Sequence, residues 1–343
     1  LLASPPFGER WGRHWLDLAR YADSSGYESD RPRQIWPYRD WVIGALNADM
    51  PFDRFVTEQL AGDLLPGATT SQKIATGFHC NAMLDGGVRW EAIIDRVQTT
   101  GSVFLGLTLG CAQCHAHKTD PVSQREFYEL YAFFNEATID RLALPGFDTG
   151  YRDGIVKPVT PNEKSSAEPT GPATLILKAA PQPTHMFLQG DPHQPGDKVE
   201  PGFPSFLSAG WPRRESAASR RLSRLDLARW VVSDENPLTD RVTVNRVWQR
   251  LFGAGLVETE SDFGVQTPPP SHPALLDFLV AEFRHGDHSL KRLIRLLVTS
   301  TGYRRSSEWL LQRERTDARN RLVGRQKRLR LEAEIVRDVW LSA

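Results

Sequence analysis

The sequence predicts a mainly α protein, two helical domains joined by a small β or irregular Pro- and Gly-rich segment. Three observations carry this reading. Apolar residues recur at three- and four-residue steps from residue 7 to about 140, and again from about 220 onward. Between about 145 and 215 that periodicity disappears while Pro and Gly become dense. A chain of 343 residues is also long enough for two domains of the usual size, about 100–200 residues each. The expected boundaries are 1–144, 145–219 and 220–343.

In the first part, Trp11, Trp15, Leu18, Ala19 and Ala22 share one helical face. Pro37 is placed to open a second helix with Trp41, Val42 and Leu46 inward. Phe52, Phe55, Leu60 and Leu64 continue toward a stop near Pro66-Gly67. A long segment, Val88 to Leu109, follows with Ile93, Ile94, Val97, Val103, Phe104 and Leu107 apolar. Asp120-Pro121 marks a turn, and Ser123 with Glu126 forms a capping box ahead of Phe127, Leu130, Tyr131, Phe133 and Phe134. In the middle part, Thr174–Leu177 and His185–Leu188 read as short strands, with turns at Gly190-Asp191 and Pro195-Gly196-Asp197. The proline-rich piece Gly154–Pro172 reads as a mobile connection. In the last part, helices are expected over Leu225–Val232, ending before Asn236-Pro237, and Val242–Leu251, closed by Phe252-Gly253. Two more follow, Leu275–Phe283 capped by Ser271, and Leu290–Leu297. The Arg-rich text from Arg313 to Arg330 reads as a solvated surface.

Composition narrows the function classes. Lys plus Arg equals Asp plus Glu at 42 each, so no global field argues for nucleic acid or anionic lipid. No apolar run approaches the roughly 20 residues that span a bilayer. The chain opens at Leu1 without Met or a charged-then-apolar leader and stops inside a helical pattern at Ala343, so both ends read as cut. Of three cysteines, Cys80 stands alone beside His79 and reads as a small core residue.

The other two cysteines lie in Gly110-Cys111-Ala112-Gln113-Cys114-His115-Ala116-His117-Lys118. C-x-x-C-H is the pattern for covalent haem c attachment. Each thiol adds to one porphyrin vinyl group, and the following imidazole ligates the iron as its proximal ligand. Zinc held by Cys111, Cys114, His115 and His117 is an alternative, although no second C-x-x-C supplies the usual distant pair. A disulfide is another alternative. A thioredoxin-like pair is the weakest reading, because no βαβ pattern surrounds the motif.

Longer phrases add a resemblance. Residues 8–41, GERWGRHWLDLARYADSSGYESDRPRQIWPYRDW, 51–66, PFDRFVTEQLAGDLLP, and 104–128, FLGLTLGCAQCHAHKTDPVSQREFY, resemble the DUF1549 domain of large PSD1-type planctomycete and verrucomicrobial cytochrome-c-like proteins. Residues 245–283 and 289–307 resemble the companion DUF1553 domain, and PTHMFLQGD (183–191) resembles the link between the two. The resemblance implies an exported, periplasmic or otherwise extracytoplasmic protein of several domains, with a neighbouring cytochrome-c domain as redox partner. It also implies a setting rich in secreted enzymes that degrade polysaccharide. It carries haem c onto Cys111, Cys114 and His115. Two departures stand out: the family's longer acidic loop is reduced here to Asp85-Gly86-Gly87-Val88-Arg89, and Cys80 replaces a commonly basic residue.

For the sixth iron position the candidates are Met83, His79, His185 and His14. His117 and Lys118 are secondary candidates for propionate or outer contacts, with Arg125 beside them. The expected function is an exported haem-c redox protein, its motif walled by the apolar helices on either side. The rival is a carbohydrate-active hydrolase, or an accessory or scaffold domain, whose C-x-x-C-H is a disulfide or zinc site. In the hydrolase, carboxylates among Asp17, Asp23, Glu28, Asp30 and Asp40 would line a cleft with Trp36, Tyr38 and Trp41.

Overall fold

The computed structural model describes residues 1–26, 30, 32–82, 88–144, 173–208, 220–308 and 315–342. The described chain is mainly helical. Helices α1 (Pro6–Leu18), α2 (Trp36–Asn47), α3 (Phe52–Ala61), α4 (Thr70–Ala75), α5 (Arg89–Thr100) and α6 (Gln124–Phe134) build the first part. Strands β1 (Ala137–Ala143) and β2 (Ala173–Ala179) form one antiparallel pair, Ala137 opposite Ala179. Strands β3 (Thr184–Phe187) and β4 (Pro195–Val199) form another, with an irregularity between His185 and Phe187. Helices α7 (Arg224–Val231), α8 (Thr239–Phe252), α9 (Pro273–His285), α10 (Leu290–Thr299) and α11 (Ala333–Ser342) complete the last part.

Local chemistry accounts for the element ends. Pro37 sits in the first turn of α2, where its missing N–H costs nothing. Ser123 caps α6: its hydroxyl accepts from the Glu126 N–H at 3.2 Å, and the Glu126 carboxylate accepts from the Ser123 N–H at 2.8 Å. Gly253 closes α8 in the left-handed region, φ 76°. Helices α1 and α2 approach closely because position 8 has no side chain; a Cβ there would meet the Ile43 carbonyl.

Three expectations change, and one falls outside the described residues. The segment Val88–Leu109 is not one helix: α5 ends at Thr100, a π turn covers Gly101–Leu105, and Gly106 reverses the chain at φ 59°. Any Cβ at 106 would strike Val242 and Phe263, so the break is where the later part packs in. Pro195-Gly196-Asp197 lies in strand β4 rather than a turn, because it pairs with β3. Residue His272, not Ser271, occupies the α9 N-cap, since Pro273 fixes the first helical position. Residues 154–172 lie outside the described residues.

One hydrophobic core runs through both expected domains. Phe52 meets Phe283 at 6.0 Å between ring centroids, and Phe133, Phe203 and Trp230 stack in series. Polar ties cross the same boundary. The buried Arg224 guanidinium of α7 pairs with Asp63 at 2.7 Å and donates to the Leu60 carbonyl at 2.9 Å. Arg246 of α8 donates to the Val103 carbonyl and, at 2.8 Å, to that of Ser102. Those carbonyls lie in the π turn, where the widened spacing disturbs ordinary helical pairing, and the guanidinium satisfies them.

Candidate functional site

The C-x-x-C-H residues form a short surface loop between α5 and α6. A 3₁₀ turn, Leu109–Gln113, carries the first cysteine, and inward and outward residues alternate unevenly along it. Leu109 and Ala112 are buried at 2% and 0% exposure, whereas Cys111, Cys114 and His115 are exposed. Both thiols are free. The apolar spacers thus pin the loop while the groups with chemistry face out.

The His115 imidazole is oriented by its own backbone. Its Nδ1 lies 2.7 Å from the Ala116 carbonyl. A carbonyl only accepts, so Nδ1 carries a proton, and in the neutral ring Nε2 is the nitrogen that keeps its lone pair. That is the tautomer a metal-ligating histidine needs, set by a backbone oxygen on the opposite nitrogen.

The loop is held on three sides. Gln124 of α6 donates to the Gln113 and Phe187 carbonyls, both at 3.0 Å, and the Tyr128 hydroxyl donates to Gln113 at 3.1 Å. The turn after β3 lies against Cys114, where Gly190 at φ 80° leaves room for the sulfur that a Cβ would overlap. The third tie is Asp120. Its carboxylate accepts from the Val265 N–H at 2.7 Å, and a Cβ at Gly264 would come within 2.5 Å of it. The Phe263 N–H donates to the Gly106 carbonyl at 2.6 Å in the same place. Asp120 and Gly190 read in the sequence as turn residues and not as partners of this loop, and Gln124 and Gly264 carry no sequence signature of their own.

Several candidates are placed apart from this loop. His117 points inward, its side chain 6% exposed, and its Nδ1 accepts from the Asp120 N–H at 2.9 Å. It therefore closes its own turn, and its buried Nε2 has no partner among the described residues. Lys118 is exposed, and Arg125 pairs with Glu129 at 3.2 Å. His79 is buried between Phe78 and Phe134, both ring centroids 4.8 Å away, with neither nitrogen bonded. Burial, assisted by Arg96, pushes its basicity well below the usual imidazole range. His14 lies in a separate cleft, lowered to about 4 by burial first and by Arg250 next. His185 stands on the hairpin that touches the motif, its Nδ1 3.1 Å from the Gly196 carbonyl. Met83 lies outside the described residues. The walls expected from the flanking helices are closed, because α5 and α6 pack on each other and bury Ile93, Val97, Phe127 and Leu130.

The alternatives fare as follows. Among the described residues, no group of three His, Cys, Asp or Glu side chains converges as a metal site would. Cys80 is a core thiol that burial pushes up to about 12, as its isolated position implied. Among the opening carboxylates, Asp23 accepts from Tyr21 and Asp40 pairs with Arg39, both acting on the Tyr21 and Arg39 side chains, and Asp30 accepts from the Gly26 N–H. Glu28 lies outside the described residues. Tyr38 and Trp41 do not line a cleft with these carboxylates; both are buried in the core, Tyr38 donating to Gln59 at 2.7 Å and Trp41 stacking on Phe55.

Two family models match the chain. PSCyt2, a protein of unknown function (DUF1549), matches residues 1–138, and PSD1, a protein of unknown function (DUF1553), matches residues 223–343. No curated protein matches significantly. The same holds for solved structures. Among the described residues, no helix is long and apolar enough to cross a membrane.

Proposed function

We propose, from the premise that this chain belongs to the proteins in which a DUF1549 domain precedes a DUF1553 domain, that it is an extracytoplasmic haem c carrier with an electron-transfer role. The observation that supports this reading most is the conjunction at the loop: two exposed free thiols at C-x-x-C spacing and an adjacent imidazole with Nε2 open. Cys111 and Cys114 would hold the porphyrin through thioethers, and His115 Nε2 would be the proximal ligand. Each S–H adds across a vinyl C=C, the sulfur to one carbon and the hydrogen to the other, so attachment consumes no oxidant. Bound there, the group supplies one-electron chemistry at iron.

The chain's own part is to present and brace. Leu109 and Ala112 fix the turn, the Ala116 carbonyl sets the tautomer, and Gln124 and Asp120 hold the loop against α6 and the later half. The haem would lie on the outer surface of the loop, since α5 and α6 leave no slot between them. An exposed edge suits short-range exchange with a second redox protein. We assign that partner to a neighbouring cytochrome-c domain. The link to extracytoplasmic polysaccharide degradation rests on the family resemblance.

The test is a pyridine-haemochrome spectrum of the protein made in a host with haem c maturation. The reading expects one iron per chain and a haem band that survives acid–acetone extraction. Cys111→Ala/Cys114→Ala should lose the band and stay folded. A folded, colourless protein from that host overturns the reading, and one zinc per chain would favour the metal alternative.

A further inference from the structure

A cleft opens between α1 and α8, away from the C-x-x-C-H loop, with about 550 Å³ of space including its mouth. Much of that is open mouth, and the space that water-sized spheres can occupy is about 70 Å³, so the ligand it can take is small. Its floor is apolar and ring-rich, made by Trp11, Trp15, Phe52, Phe55 and Val247. Trp15 has its indole N–H spent on Gln59 at 2.7 Å, so it offers the cleft only its apolar surface. Trp15, Phe52 and Phe55 are themselves buried, at 9%, 3% and 1% exposure, and Trp11 is the half-buried ring at the mouth.

The polar groups at the cleft are few and unequal in charge. Arg246 and Arg250 face Glu260, at 3.9 and 3.2 Å. The second carboxylate oxygen of Glu260 is occupied by Gln249 Nε2 at 3.1 Å. Arg246 spends its terminal nitrogens on the Ser102 and Val103 carbonyls and on Ser261, and its buried Nε, 3.9 Å from Glu260, has no hydrogen bond. Burial lowers Arg246 only to about 10, which leaves it a cation at neutral pH. Arg250 is one-third exposed, and Glu260 is its one hydrogen-bond partner among the described residues. His14 borders the same space, held to about 4 and therefore neutral, and shows no hydrogen bond among the described residues. Beyond it, Arg10 and Arg13 are answered by Glu332 and Glu334. The lining keeps one positive charge more than it cancels.

We propose that this cleft binds a small amphipathic monoanion, an aromatic or short-chain carboxylate, with its apolar body on Trp11, Trp15 and Phe55 and its carboxylate on Arg250. The neutral His14 imidazole adds an N–H toward the same carboxylate. An apolar body supplies most of the affinity and the guanidinium supplies the selection, since a hydrogen bond to a charged group is stronger than a neutral one. A neutral amide of the same shape keeps the first contribution and forfeits the second.

Titration calorimetry and ligand-observed NMR with 3-phenylpropionate and 3-phenylpropanamide decide it on the full chain. The acid is expected to bind at least ten-fold tighter than the amide. Arg250→Met should bring the acid to the level of the amide, and Arg250→Lys should keep part of the preference. Equal binding of acid and amide by the unaltered protein, or no saturable binding of either, overturns the proposal. So does a preference that survives Arg250→Met in a folded variant.

Discussion

In the loop at Cys111–His115 the reactive atoms face solvent and the spacers are buried, whereas at His79–Arg96 the reactive atoms are enclosed. His79 is 1% exposed with both nitrogens unpartnered, and Arg96, 2% exposed, donates to the His79 carbonyl at 3.3 Å. Arg224, close enough to depress His79 further, is neutralised by Asp63. Charge is present in both regions and used differently. Around His79 it ties elements together across the core, so disturbing it costs stability. At the loop the imidazole bonds only its neighbouring Ala116 carbonyl and the thiols are free and exposed, so they join no distant elements.

The comparison is most easily broken at Asp63. Asp63→Ala leaves the Arg224 guanidinium buried and unpaired, and a loss of about 3–5 kcal/mol in urea denaturation is expected. Asp63→Leu with Arg224→Met should recover most of that loss, because an apolar pair carries no desolvation penalty. If Asp63→Ala were as stable as the parent, the seam would not be structural.

Asp120 tests the bracing of the loop from the other side. Asp120→Ala removes a charged acceptor from the Val265 N–H, with an expected loss of about 2 kcal/mol. Faster amide exchange at Val265 and at the loop should accompany it. Unchanged exchange there would mean that the later half does not brace the motif.

Acid should act on the enclosed imidazoles. The folded state holds His79 and His14 below the ordinary value near 6.5, so the unfolded chain binds more protons as pH falls through that value. Stability should drop by about 1.4 kcal/mol per pH unit for His79 below pH 6.5. His288 has the opposite sign: its hydrogen bond to Asp240 raises it, so its contribution is complete below 6.5 and fades only as pH rises. His79→Leu should flatten the acid limb, and an unaltered limb would remove His79 from the seam.

The smallest effect is expected where the chemistry is proposed. Cys111→Ala and Cys114→Ala should each change stability of the unloaded protein by less than about 0.5 kcal/mol, as exposed positions do. Iodoacetamide should label Cys111 and Cys114 in the native protein and Cys80 only on unfolding, since Cys80 is buried and held up to about 12. Native labelling of Cys80 would erase the contrast between the two regions.

The sequence made much of this legible, and the exceptions have physical causes. Capping chemistry is local, so Ser123 with Glu126 and Pro37 could be read directly. The C-x-x-C-H run was legible because its pattern lies within five consecutive residues. The break at Gly106 was not, since an apolar run looks the same in a continuous helix and in one interrupted where α8 packs in. Asp120 looked like a turn residue, and nothing near it in sequence announces Val265. The aromatics at Trp11 and Trp15 obeyed helical spacing, which places a face inward without telling a filled core from an open cleft.

The Asp120–Val265 bond joins residues 145 positions apart. A chain made from its N-terminus therefore displays both thiols well before the residue that locks their loop has emerged. For that interval the C-x-x-C-H stretch lacks its tie to the later half and is freer to bend than in the finished fold.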